Sequence, residues 1–239
     1  MNRDYHRWFS PSLNRDMELL IFGHSGARVL AFPTSKGKFY EWEDRGMINT
    51  LSESINNGWL QLFCVDSVDA ESWYSYGDGP AGRARRHSEY DRYLYTEVLP
   101  LSQKVNSNPY LISVGASFGA YHAMNFGLRH PEQVSRILAM SGLYDIQRFV
   151  FGYYDENVYF NNPIDYIPNE HNSERLHWLR QQDIIIACGR EDTLLPSGRA
   201  LSEKLWQKGI GNALREWDGW AHDWPFWQQM IQQYISGHD

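Results

Sequence analysis

Residues 115–119 read Gly115, Ala116, Ser117, Phe118, Gly119, a G-x-S-x-G pattern that follows the apolar run 111–114 and leads into a small-residue stretch, 120–128. A serine hydroxyl is a poor nucleophile unaided. Chemistry at such a residue requires a tight strand-to-helix turn that lifts Oγ clear of the backbone and within reach of a base. The flanks of the motif supply both halves of that turn: 111–114 has the character of a buried strand, and 120–128 suits a helix packed closely on a sheet. Glycine at 115 and 119 leaves room where a side chain would collide with the neighbouring strand or helix. A second serine, Ser25 in Gly23-His24-Ser25-Gly26-Ala27, looks similar, but its fifth position is Ala27 and its polar setting fits a simple turn.

A nucleophilic serine needs a base, and the base needs an orienting acid; with elbow serines both follow in the chain, acid first. Asp192 lies in Gly189-Arg190-Glu191-Asp192-Thr193, just past the apolar run 184–188, where a strand end would present it to a crevice. It is the expected acid, with Glu191 as the alternative and capping of a helix near Pro196 as its structural reading. His222 lies between the strand-like run 213–217 and the last helical stretch, beside the same crevice, and is the expected base. The other histidines, from His122 and His130 on the elbow helix to His238 at the tail, read as ordinary surface or core residues.

Acyl transfer passes through an oxyanion that needs two backbone N–H donors. One falls to Phe118, the residue after the nucleophile. The other falls to the loop 33–37, with Ser35 the first choice and Lys36 the second, because the backbone direction there is not written in the sequence. Trp73, Phe118 and Trp220 stand beside these motifs and either line an aromatic substrate pocket or pack in the core. The histidines form no H-E-x-x-H pair and the two cysteines lie far apart, so neither a metal nor another cofactor is expected.

These groups need a scaffold. Residues 17–22 and 28–32 read as two strands joined at Gly23–Gly26 in an edge hairpin. Beyond them come a glycine-containing loop, helical spacing through Met47, Leu51 and Ile55, a strand at 60–65, an irregular stretch to Pro80 and a helix at about 88–104. The elbow unit follows, then strands at 135–140, 183–188 and 213–217 separated by helices at 198–208 and 225–235. This alternation implies an α/β domain with a mostly parallel sheet covered on both faces. Residues 146–172 lack periodicity but carry Phe149, Phe151, Tyr153, Tyr154, Tyr159 and Phe160, and read as a lid-like insertion within a single domain spanning 1–239.

The chain of 239 residues fits one large domain, and with 42% hydrophobic and 15% aromatic residues it has material for a core and a pocket. A net charge of −7 argues against a nucleic-acid partner. One basic cluster, Arg83 to His87, reads as a solvated helix start or loop. Cys64 and Cys188 sit in apolar runs and read as reduced core residues. The first residues lack the apolar core of a signal peptide, and no stretch approaches a membrane span, so a cytoplasmic location is expected. The abundant aromatics could serve a homo-oligomer surface as well as a pocket.

The order Ser117, Asp192, His222, with the early strand pair, the loop 33–37 and the aromatic run Ser72-Trp73-Tyr74, resembles the Putative esterase branch of the α/β-hydrolases, which includes S-formylglutathione hydrolases and mycolyltransferases. The resemblance covers nearly the whole chain and implies the α/β-hydrolase fold with an eight-stranded core, a covalent acyl-serine intermediate, and esterase activity on a small-molecule ester. The chain departs from the family where its oxyanion loop reads Pro33-Thr34-Ser35 in place of a His-Gly start. Nothing in it marks a glutathione or trehalose site. Acyl transfer to an alcohol acceptor is the alternative activity, and a catalytically silent binding protein on the same fold is the alternative class.

Overall fold

Eight strands alternate with helices along the chain and join in a single sheet of order β1-β2-β4-β3-β5-β6-β7-β8 in a computed structural model that describes residues 1–237. The strands are β1 (Arg3–Ser10), β2 (Arg15–Phe22), β3 (Ala27–Phe32), β4 (Leu60–Val65), β5 (Leu111–Ala116), β6 (Arg136–Met140), β7 (Asp183–Gly189) and β8 (Ala213–Trp217). From β4 to β8 in the sheet order every pairing is parallel, whereas β1 pairs antiparallel with β2 and β2 antiparallel with β4. His238 lies outside the described residues.

The central strands are buried on both faces, which is why they read as continuous apolar runs. Side-chain alternation sorts each strand between two cores. In β3, Leu30 and Phe32 join the core under the elbow helix (Phe118–Arg129), with Ala123, Met124 and Phe126. Val29 and Ala31 join the opposite core with Trp227, Met230 and Ile231 of the last helix (Trp224–Tyr234).

The hairpin expected between β2 and β3 is not formed. The hairpin at the sheet edge joins β1 to β2 instead, with Arg3 opposite Phe22 and Ser10 opposite Arg15, and β4 lies between β2 and β3. Residues 23–26 carry the chain past the start of β4. A Cβ at Gly26 would lie 2.1 Å from the Trp59 carbonyl carbon, and the φ of +95° at Gly23 and Gly26 is one that glycine adopts at little cost. Ser25 belongs to this crossing, where its hydroxyl donates to the Gly58 carbonyl, at the opposite end of the sheet from the end of β5.

The helix expected at about 88–104 begins earlier, at Pro80, and passes through a π-helical turn at Leu94–Val98 into a last segment, Leu99–Val105. The basic cluster therefore rides on a helix: Arg86 pairs with Glu71 and Glu89, Arg83 donates to the carbonyls of Ser75 and Phe149, and His87 is buried. Residues 146–172 form short helical turns at Gln147–Phe149, Glu156–Tyr159 and Pro163–Tyr166. Buried Asn161 pins this segment to the elbow helix: its carbonyl accepts from Tyr121 Oη, and its Oδ1 accepts from Asn125 and Arg129. Among the described residues no helix is long and apolar enough to cross a membrane.

Candidate active site

Parallel strands end on one edge of the sheet, and the loops that leave those ends carry the site. Ser117 follows β5 with φ +55° and ψ −120°, a conformation that costs a non-glycine residue about 1–3 kcal/mol and persists only where its surroundings enforce it. They do so here. The Ser117 N–H donates to the Met140 carbonyl at the end of β6. A Cβ at Gly115 would fall 2.1 Å from the Gly119 carbonyl oxygen, and one at Gly119 would fall 2.5 Å from that of Pro33. Glycine at both positions lets the elbow close against the loop after β3.

Asp192 and His222 come from the loops after β7 and β8. These loops are joined by backbone bonds from Arg190 N–H to the Trp217 carbonyl and from Glu191 N–H to that of Gly219. A Cβ at Gly189 would lie 2.1 Å from the Trp220 carbonyl oxygen, so the two loops run in contact. His222 Nδ1 is 2.7 Å from Asp192 Oδ2, and His222 Nε2 is 3.3 Å from Ser117 Oγ. The structure thus brings the three residues together in one hydrogen-bonded chain, with Asp192 rather than Glu191 against the imidazole.

The acid is fully engaged. Its Oδ1 accepts from the Leu194 N–H at 2.9 Å, a local turn that opens the helix Leu195–Gln207, and the Cys188 thiol donates to Oδ2 at 3.3 Å. Burial acts to raise the Asp192 carboxyl, but hydrogen bonds from His222, the Leu194 N–H and Cys188 outweigh it and hold the group below its ordinary value. Burial, then the nearby carboxylate of Asp192, pushes the Cys188 thiol up, so it remains a thiol and a donor. Cys64 and Cys188 are both unpaired and buried. His222 lies between two indoles: Trp220 stacks at 5.6 Å and Trp227 meets it edge-on at 5.2 Å, with the Trp227 indole N–H donating to Ser141.

The loop after β3 supplies the second oxyanion candidate. Thr34 N–H donates to Glu41, Lys36 N–H to Asp69 Oδ2 at 2.9 Å, and Gly37 N–H to the Thr34 carbonyl. Among the described residues the Ser35 N–H has no hydrogen-bond partner, and neither has the N–H of Phe118, which opens its helix and so has no acceptor a turn earlier. Of the two choices left by the sequence, Lys36 is committed elsewhere and Ser35 is free.

Trp220 is half-exposed at 53% and stacks on the imidazole. Trp73 is not at the surface: it is fully buried, donates its indole N–H to Tyr121 Oη and packs behind Phe118 and Phe149, so the pocket role expected for it does not fit. Its neighbour Tyr74 takes the position nearer the cleft, with Oη 3.0 Å from Ser35 Oγ and its ring edge-on to Phe118 and Phe149. Tyr74 enters the sequence reading only in the run Ser72-Trp73-Tyr74 and His122 only as an ordinary surface or core residue, and neither they nor Asp69 are assigned to the site there. Asp69 follows the end of a parallel strand, the same signal that marked Asp192. A concavity of about 490 Å³ lined by Ile184, Trp206 and Ala213 lies at the opposite, amino ends of β7 and β8. Among the described residues no cluster of His, Cys, Asp and Glu is arranged to hold a metal.

Comparison with known proteins then places the chain. The model of the Esterase family, described as Putative esterase, matches residues 35–236. The chain belongs to that family. It is also 27% identical over 136 residues to an acetyl esterase of Caldicellulosiruptor saccharolyticus, a match that spans 49% of this chain and 50% of the relative. Among solved structures it is similar to a ferulic acid esterase (TM-score 0.75, 21% identity, 97% of this chain and 95% of the other). A second is an S-formylglutathione hydrolase from Agrobacterium tumefaciens (TM-score 0.74, 15% identity, 98% and 93%). At such identities these two likenesses show the fold, that of the α/β-hydrolases.

Proposed function

We propose that the chain is a serine carboxylesterase that works through an acyl-serine intermediate. The observation that carries the reading is the unbroken contact from Ser117 Oγ through His222 to Asp192, at 3.3 and 2.7 Å. Ser117 Oγ attacks the ester carbonyl carbon while His222 Nε2 takes its proton, and the carbonyl electrons move onto oxygen, where the N–H groups of Phe118 and Ser35 receive them. As the tetrahedral intermediate collapses, the bond to the alcohol oxygen breaks and His222 returns the proton to the leaving alcohol. Water, deprotonated by the same imidazole, then attacks the acyl-serine and releases the acid. Asp192 holds the ring orientation and balances the imidazolium.

Hydrolysis is favoured over transfer to an alcohol acceptor by the exposure of the base. The His222 side chain is 20% accessible, so water reaches the deacylation step without displacement of residues 146–172. Trp220 beside His222 and the part-buried Tyr74 beside Ser35 offer rings to the apolar part of a small-molecule ester, and residues 146–172 act as a lid-like wall through Phe149, which packs on Tyr74 and Phe118. Intact-mass labelling with a fluorophosphonate tests the reading without requiring the natural substrate. One adduct is expected on the wild-type protein and none on folded Ser117→Ala, whose hydrolysis of an activated acetyl ester should fall by about 10⁴-fold or more. A wild type that stays unlabelled, or a Ser117→Ala variant that hydrolyses the ester unchanged, overturns it.

A further inference from the structure

A second Asp–His pair lies behind the site. His122, five residues beyond Ser117 on the elbow helix, donates from Nε2 to Asp69 Oδ1 at 2.8 Å, and both side chains are only 1% exposed. Asp69 follows β4, and its other oxygen accepts the Lys36 N–H at 2.9 Å. Lys36 has φ +57°, a left-handed conformation that a lysine holds only under restraint, and it directly follows Ser35. The elbow helix therefore reaches the oxyanion loop by two routes: backbone contact through Gly119 against Pro33, and the hydrogen-bonded path His122, Asp69, Lys36.

A buried carboxylate is costly unless every lone pair is engaged. Burying one here to restrain a single left-handed loop residue needs a return, and the neighbouring N–H of Ser35 is that return. We propose that Asp69 and His122 are positioning residues for the oxyanion hole. By holding the Lys36 N–H, Asp69 fixes the Lys36 turn and so the direction in which the Ser35 N–H points, while His122 holds Asp69 in register with the helix that carries Ser117 and Phe118. The two oxyanion donors come from different loops, and this pair sets the distance between them. The inference rests on the esterase reading, since it assigns the pair a role in that reaction's transition state.

The pair acts only when charge develops on the carbonyl oxygen, so its loss lowers kcat and leaves KM nearly unchanged. Asp69→Ala is expected to lower kcat about 30-fold, and to slow phosphonylation of Ser117 by a similar factor, because that reaction also builds charge on oxygen. Asp69→Asn keeps an oxygen to accept the Lys36 N–H and should recover to within about five-fold of wild type. His122→Phe provides the check if Asp69→Ala does not fold. The imidazole is already surrounded by the rings of Phe118, His87, Tyr90 and Phe32 at 5.0, 5.4, 5.4 and 6.0 Å, which accept another ring, and the variant should lose about ten-fold in kcat with KM kept. Folded variants with wild-type kcat and labelling rate, or a loss that appears in KM and is not rescued by Asn, overturn the positioning role while leaving the esterase reading intact. A wild type that no fluorophosphonate labels overturns the esterase reading itself.

Discussion

The two Asp–His pairs contain the same groups and differ in what surrounds them. In each, one carboxylate oxygen meets the imidazole, at 2.7 Å for Asp192–His222 and 2.8 Å for Asp69–His122, and the other accepts a backbone N–H at 2.9 Å. The far nitrogen of His222 faces Ser117 and the side chain is 20% exposed, whereas His122 Nδ1 is buried and, among the described residues, has no hydrogen-bond partner. Burial, then the neighbouring His122, lowers the His87 imidazole well below its ordinary value, and that ring stacks on His122 at 5.4 Å. An Asp–His pair becomes a base where its free nitrogen meets a nucleophile and water. Sealed, the same pair is a strut.

The N–H partners differ as instructively. Asp192 takes its bond from Leu194, two residues on, so the acid loop is organised by its own sequence. Asp69 takes its bond from Lys36, 33 residues earlier, and so couples two loops. Deleting charge from the first pair should therefore cost far more in turnover than deleting it from the second. Asp192→Asn keeps the shape of the acid but removes the charge that fixes the imidazole tautomer and balances the imidazolium, and should lower kcat about 10⁴-fold with KM little changed. Steady-state kinetics of Asp192→Asn and Asp69→Asn side by side would break the comparison if the two losses were equal.

Tyr74 sharpens the same contrast at the oxyanion loop. Its hydroxyl reaches the Ser35 side chain, while the proposed donor is the Ser35 backbone, whose direction is set from Lys36. Tyr74→Phe should consequently reduce kcat by about five-fold or less, the scale of one ordinary hydrogen bond. A loss near that of Asp69→Ala would move the control of the loop from Asp69 to Tyr74.

The local-versus-distant difference also explains what could be read in the chain. The elbow, the acid loop and the base loop each sit just past a parallel strand, and the strands announce themselves as apolar runs, so the G-x-S-x-G motif, the chain order and these positions together mark Ser117, Asp192 and His222. The free Ser35 N–H became evident only when its neighbours' partners were known. The sequence leaves Trp73 between cleft and core because a tryptophan beside a motif has the same signal in both, and only its burial decides. Asp69 and His122 carry no joint signal, since their pairing depends on the loop after β4 meeting the elbow helix. The β2–β3 hairpin failed for a related reason: a short glycine-containing link serves a hairpin turn and a passage beneath a third strand equally well, and only the pairing partners decide.

The smallest expected effect concerns acid stability and isolates the local half of the comparison. Asp192 has a folded carboxyl held below its ordinary value of 3.8, where hydrogen bonds from His222, Leu194 and Cys188 outweigh burial. A group depressed on folding contributes stability that is fully present above its unfolded pKa and is lost as pH falls through the folded value. Asn at this position has no such titration. The stability gap between wild type and Asp192→Asn should therefore be widest above about pH 5 and narrow progressively toward pH 3. Urea unfolding at a series of pH values measures it. A gap that stays constant over that range would mean that the Asp192 carboxylate gains nothing from its partners on folding, and the acid loop would then owe its shape to the Leu194 turn and its backbone bonds rather than to the charge it presents to His222.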